Sequence, residues 1–220
     1  MKTLAILGGT GKEGAGLAMR WALHGHRVII GSRSAAKAET RAKEMNGELG
    51  AEYLTGFANA QAADLADIVI LSVPYSAHQA TLAAVRQQCQ GKILVDLTVP
   101  LQPPAITQVN LPGGGAAALE AQSLLGAGVT VVAAFQNVSA VKLKQLGQAV
   151  DCDVLVCADD DAARMAVIEL VEAAGMRGLD AGALKNAVAA ESLTPVLLHI
   201  NKTYGVQGAG IRITGLDDEE

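Results

Sequence analysis

A short apolar run, Leu4-Ala5-Ile6-Leu7, leads straight into Gly8-Gly9-Thr10-Gly11-Lys12-Glu13-Gly14, and a helical pattern follows over residues 15–23. The run reads as a buried parallel strand. Gly9, Gly11 and Gly14 have G-x-G-x-x-G spacing, and each glycine has its own task. The first makes a tight turn, the second lets a pyrophosphate approach the backbone, and the third lets helix and strand pack closely. The free N–H groups and dipole of the helix start then face the phosphates. Plain tight turns also use glycine, but a strand before and a helix after is the context a dinucleotide turn requires. Gly9, Thr10, Gly11, Lys12, Glu13 and Gly14 are therefore candidate cofactor contacts.

The second strand, Arg27-Val28-Ile29-Ile30, ends in Gly31-Ser32-Arg33-Ser34. A site for NAD places Asp or Glu near this point to accept from the ribose 2′-hydroxyl. No acid stands here. Ser32, Arg33 and, one helical turn on, Lys37 suit a 2′-phosphate instead, since arginine offers phosphate a planar fork of donors. The expected cofactor is NADP; the plain alternative is a solvated helix start with a serine cap.

Composition narrows the partners. Of the 220 residues half are hydrophobic and only 3% aromatic, so the core must be aliphatic. A formal net charge of −5 leaves no footprint for nucleic acid or an acidic membrane surface. Cys152 and Cys157, five apart in a strand-like run, point to opposite faces, and Cys89 stands alone, which suits thiols in a reducing compartment. Met1-Lys2 enters a core strand directly, leaving no room for a signal peptide. No apolar run approaches the roughly 20 residues of a membrane helix. A cytoplasmic protein is expected.

Strand-like and helix-like stretches then alternate. A polar helix is expected to stop at Asn46-Gly47, strands over residues 53–56, 67–73 and 92–97, and helices over residues 59–65 and 76–88. Residues 98–115 hold four prolines and Gly113-Gly114-Gly115, read as a helix entry rather than a second phosphate loop. Further strands are expected over residues 129–134, 154–157 and 177–180. Asp159-Asp160-Asp161 reads as a helix start. A long apolar helix over residues 184–204 is expected to kink or break at Pro195, and the acidic end at residues 217–220 to fray. The alternation gives an α/β fold: a doubly wound parallel Rossmann sheet with a small C-terminal helical and strand segment. The division is residues 1–182 for NADP and residues 183–220 for a segment closing the site and contacting a second copy, a homodimer.

Ligands in such sheets bind beyond the strands' carboxyl ends. That places Thr10, Ser72, Val73, Pro74, Tyr75, Leu97, Thr98, Ala134, Phe135, Gln136, Asn137 and Val138 together. The list is mostly apolar or neutral, which suits a nicotinamide ring. No His–Asp pair, Ser–His arrangement or metal constellation is expected. His24, His26 and His199 read as surface, structural or interface residues, and His78 as a weak catalytic candidate. Oxidising an alcohol needs a group to take its proton. Hydride exchange between two ring cofactors chiefly needs position, with the reacting carbons roughly 3–3.5 Å apart. The second case fits better.

Six segments carry a family resemblance: Gly8-Gly9-Thr10-Gly11-Lys12-Glu13-Gly14, Gly31-Ser32-Arg33, Val73-Pro74-Tyr75, Cys157-Ala158-Asp159-Asp160-Asp161, Leu179-Asp180-Ala181-Gly182 and Glu191-Ser192-Leu193-Thr194-Pro195. Together they resemble the NADPH-dependent reductases of the deazaflavin coenzyme F420, over nearly the whole chain. The resemblance implies hydride transfer between nicotinamide C4 and deazaflavin C5, a C-terminal segment that helps close the cavity, and dimers. One departure bears on the second ring. Archaeal members carry His-x-Ile-Pro where this chain has Gln136-Asn137-Val138-Ser139, whereas a similar Phe-Asn-x-x-Ser segment marks reductase domains that use NADPH with a flavin. An NADPH-dependent flavin or ferric reductase, with FMN or FAD, is the alternative on the same scaffold. A short β-hydroxyacid or imine reductase would need a large helical domain. A non-catalytic NADP sensor would bind NADPH and reduce nothing.

Overall fold

The computed structural model describes residues 1–216, so the acidic end at residues 217–220 lies outside the described residues. β1 (Thr3–Leu7) delivers the chain into the glycine turn and α1 (Lys12–Leu23). β2 (Arg27–Ser32), α2 (Ala35–Leu49), β3 (Leu54–Ala58), α3 (Asn59–Leu65) and β4 (Ile68–Leu71) complete one half. α4 (Tyr75–Val85), β5 (Ile93–Asp96), α5 (Ala117–Leu125) and β6 (Thr130–Ala133) build the other. These six strands form one parallel sheet in the order β3-β2-β1-β4-β5-β6. The order reverses at β1, which pairs with β2 on one side and β4 on the other. Chains leaving β1 and β4 therefore turn to opposite faces, and a crevice opens between them at the carboxyl ends.

Alternation along the strands divides the core in two. Leu4 and Ile6 pack on one face with Trp21, Val28 and Ile30, while Ala5 and Leu7 pack on the other with Ile29, Val69 and Leu71. Trp21 is wholly buried, and its indole N–H reaches the Leu170 carbonyl at 2.7 Å, satisfying its one polar atom.

Three expectations are corrected. α2 does not stop at Asn46-Gly47 but runs to Leu49, closed by Gly50 at φ 70°. Asn46 looked like a terminator because its amide competes with helical backbone. Here the amide is turned to β3, accepting from Leu54 N and donating to Leu54 O, both at 2.9 Å.

The second correction concerns the sheet. β7 (Asp153–Val156) does not extend the six strands as a parallel neighbour. It pairs with β8 (Arg177–Asp180) in a separate two-stranded parallel sheet, and an antiparallel bridge between Ala133 and Cys157 joins it to β6. The connection from β6 to β7 holds only one short helix, α6 (Ala140–Leu143), too little to carry the chain back along the sheet for a parallel return. The Arg20 guanidinium fastens this connection to α1, donating to the carbonyls of Leu143, Lys142, Gln145 and Gln148, and to Ala174.

α7 (Asp161–Ala173) starts as expected: Asp160 caps it, accepting from Ala163 N at 2.7 Å. The third correction is the start of the last helix. A 3-10 turn (Leu184–Asn186) precedes α8 (Ala187–Tyr204), which continues unbroken through Pro195. Proline there removes one helical hydrogen bond, at about 3 kcal/mol. Anchors on the turn before it offset that cost: Glu191 accepts from Ala117 N and Ala118 N, and the Thr194 hydroxyl donates to Gln136 O at 2.6 Å. Among the described residues no helix is long and apolar enough to cross a membrane.

Candidate active site

The turn after β1 is stitched to the end of β2, because Gly8 N and Gly9 N both donate to Gly31 O at 3.1 and 3.2 Å. Its glycines differ in what they spare. A Cβ on Gly14 would stand 3.1 Å from Gly9 Cα and from Ile6 Cγ2, so the protein itself excludes it. A Cβ on Gly11 would meet only Gly8 O, at 3.5 Å. What Gly11 leaves open is room at the N-terminus of α1, where Thr10, Gly11 and Lys12 are exposed. Ser32 is half-buried, Arg33 and Lys37 are exposed, and no ion pair of Lys12, Arg33 or Lys37 occurs among the described residues. Three uncommitted cations and a donor-rich helix start thus line one end of the crevice, a donor set that fits a dinucleotide with a third phosphate. Burial pushes half-buried Glu13 up to about 8, against the helix dipole, which favours a carboxylate there.

The other wall comes from β4. Ser72, Val73 and Tyr75 are half-buried and Pro74 exposed, immediately past the strand's carboxyl end. The expected residues after β6 behave differently. Phe135 is fully buried at φ 73°, a left-handed conformation that strains a bulky side chain. Its ring meets Trp21 edge-on, with centroids 5.8 Å apart. The strained turn drives the next side chains inward. Ala134 is buried, Gln136 is 4% exposed with Nε2 on Asp96 O at 2.8 Å, and Val138 is 8% exposed in the core. The structure thus gathers Gly9, Thr10, Gly11, Lys12, Ser32, Arg33, Lys37, Ser72, Val73, Pro74 and Tyr75 on the rim. It sets the side chains of Ala134, Gln136 and Val138 beneath it.

A His–Asp pair, which the sequence did not disclose, lies at the same end of the sheet. His78 Nε2 and Asp96 Oδ2 are 2.7 Å apart, with the side chains 2% and 0% exposed. Burial works against the charged imidazole. The hydrogen bond and charge of Asp96, followed by Glu120 and Glu191, outweigh it and raise the His78 pKa. Tyr75 donates its hydroxyl to Glu120 at 2.9 Å; burial first, then this acid, pushes it up to about 12. Burial likewise pushes Glu191 up to about 7 against the two amides it accepts from.

Residues 3–100 match the family model described as NADP oxidoreductase, coenzyme F420-dependent. The F420-dependent NADP reductase of Methanothermobacter thermautotrophicus is 41% identical over 99% of this chain and 97% of its own length. That of Methanocaldococcus jannaschii is 41% identical over 97% and 99%. The chain belongs to the F420-dependent NADP reductase family. A crystal structure described as that of a candidate F420-dependent NADP-reductase, from Arthrobacter sp. FB24, superimposes with a TM-score of 0.83 at 27% identity, covering 97% of this chain and all of that one.

Within this reductase fold, Glu191-Ser192-Leu193-Thr194-Pro195 acquires a physical meaning. α5 has no side-chain cap of its own, and Glu191 supplies one from α8. Sequence reasoning missed Asp96, Glu120 and Glu191. A lone acid ending an apolar strand, Ile93-Leu94-Val95-Asp96, was the one signal available for the first; the others are joined by distances the sequence does not carry.

Proposed function

We propose that this chain transfers a hydride between NADP(H) and the deazaflavin coenzyme F420. The observation that carries the reading is the end of β2, where Ser32, Arg33 and Lys37 stand without an acid and without ion-pair partners beside an open glycine turn. The curated names of full-length relatives support the second coenzyme. Gly9, Gly11 and Lys12 would take the pyrophosphate on the α1 N-terminus, and Ser32, Arg33 and Lys37 the 2′-phosphate. Ser72, Val73 and Pro74 would support the nicotinamide, with Tyr75 at the rim. NADPH supplies the hydride and coenzyme F420 accepts it; the protein's share is to hold two rings face to face and exclude water.

The inward side chains of Gln136 and Val138 leave the backbone of that loop as the surface offered to the second ring. The test supplies purified protein with NADPH and either coenzyme F420 or flavin mononucleotide, following both chromophores. Reduction of coenzyme F420 in preference to the flavin is expected; the reverse preference would move the chain to the flavin reductases.

We infer also a homodimer formed through α8, within a C-terminal segment that begins near residue 183. Leu193, Val196, Ile200 and Tyr204 form one stripe along that helix, with Val196 and Tyr204 exposed. Its three buried free cysteines suit work in the reducing cytoplasm.

A further inference from the structure

The strand-end site contains a group that the positioning of two rings does not use. Asp96 ends β5 opposite Leu71 of β4, and Leu97 N donates to Leu71 O at 3.0 Å, so the acid lies one strand from Ser72 and Val73. Asp96 Oδ2 meets His78 of α4, and Oδ1 accepts from Thr98 N at 2.9 Å. Tyr75 of α4 is bonded to Glu120 of α5, and its ring lies 6.0 Å from the imidazole. Glu191 of α8 faces the same cluster while capping α5. Asp96 is bonded to the imidazole, and the charges of Glu120 and Glu191 act on it from α5 and α8. Beyond the pair, His78 also lines a cleft of about 810 Å³ between α4 and α5, with Tyr75, Gln79, Glu120 and Ser123. The cleft between α4 and α5 thus brings solvent up to His78.

We propose that His78, held by Asp96, forms with Glu191 a proton store that reads the redox state of the nicotinamide, holding more protons with NADPH bound than with NADP+. This rests on the reading that a nicotinamide lies at the ends of β4 and β5. Reduction of coenzyme F420 by NADPH breaks one C–H bond and forms another with both electrons, and the sum balances only with one proton added to the deazaflavin. NADP+ carries a positive ring where NADPH is neutral. A positive charge nearby disfavours the imidazolium and the protonated acid, so hydride loss drives a proton off the cluster as the reaction calls for one. In the reverse direction the cluster takes a proton up. The α4–α5 cleft refills His78 from water between turnovers. Asp96 raises His78, and burial pushes Glu191 up to about 7.

Calorimetric titration of NADP+ and of NADPH into the enzyme alone, in two buffers of different ionisation enthalpy near neutral pH, counts the protons exchanged. The 2′-phosphate is common to both cofactors and cancels in the difference. Binding of NADP+ should release up to about one proton more than binding of NADPH. The preference for NADP+ over NADPH should accordingly rise with pH, by up to about tenfold per unit. In His78→Gln both cofactors should bind and the proton difference should shrink, Glu191 keeping its share. Equal proton counts in the wild type, or a difference retained in full in His78→Gln, would overturn the proposal. Should His78→Gln not fold, NMR of ring-labelled histidine in the wild type decides: the His78 titration must move to lower pH when NADP+ replaces NADPH, and an unmoved titration refutes the store. An intact proton difference without coenzyme F420 reduction would sink the proposed function and leave the store standing.

Discussion

Arg33 and Gly11 are the residues at which the cofactor reading is most exposed to test. Arg33→Ala should weaken NADPH binding by roughly 1.5–3 kcal/mol, the loss of a hydrogen bond to a charged group, and change NADH binding little. Equal weakening of both in a fluorescence titration would refute the 2′-phosphate role. The glycine turn gives a paired prediction. Gly11→Ala has 3.5 Å to its nearest neighbour and should cost the fold less than about 1 kcal/mol, yet NADPH binding should fall by at least tenfold. Gly14→Ala must move Ile6 or Ser72 and should destabilise the fold itself by roughly 1–3 kcal/mol. Thermal melts with and without NADPH separate the two; similar melts without cofactor would count against this division of labour.

Among the elements, α5 and α8 depend on each other through Glu191. Its folded pKa of about 7 stands above the ordinary value of 4.5, so the favourable state is the protonated one. That contribution is complete below about pH 4.5 and is lost as pH rises toward 7. Relative to Glu191→Gln, which keeps an acceptor for the α5 amides, the wild type should therefore lose stability over that window. Denaturant melts at several pH values check it, and parallel profiles would show that Glu191 does not titrate as described. The same elements show where sequence reading succeeds. Strands β1, β2 and β4 were legible because an apolar run in a parallel sheet is buried on both faces, and the glycine loop because its spacing follows from phosphate geometry. Asn46 misled because its side chain, not its backbone, leaves the helix. The β6–β7 connection misled because Arg20 replaces a crossover helix with hydrogen bonds to five carbonyls far away in sequence. His78–Asp96 was invisible for the same reason: pairing across β5 and α4 is a property of the fold.

For the whole molecule, the open question is its assembly. A stripe of Leu193, Val196, Ile200 and Tyr204 at helical spacing would bury apolar area between two copies, whereas a solitary chain leaves Tyr204 74% exposed. Light scattering at micromolar protein should find a dimer, and Val196→Glu should shift it toward monomer at least tenfold by placing a charge in the seam. A wild-type monomer independent of concentration would dismiss this interface.

Because the side chain that finishes the start of α5 comes from Glu191, about seventy residues later, the order of synthesis matters. A ribosome makes β1 to β4 long before it makes α8. Until the last helix leaves the exit tunnel, the helix beside Tyr75 and His78 lacks its cap. The start of α5 is thus completed last, and a prematurely terminated product would leave the amides of Ala117 and Ala118 without the Glu191 carboxylate.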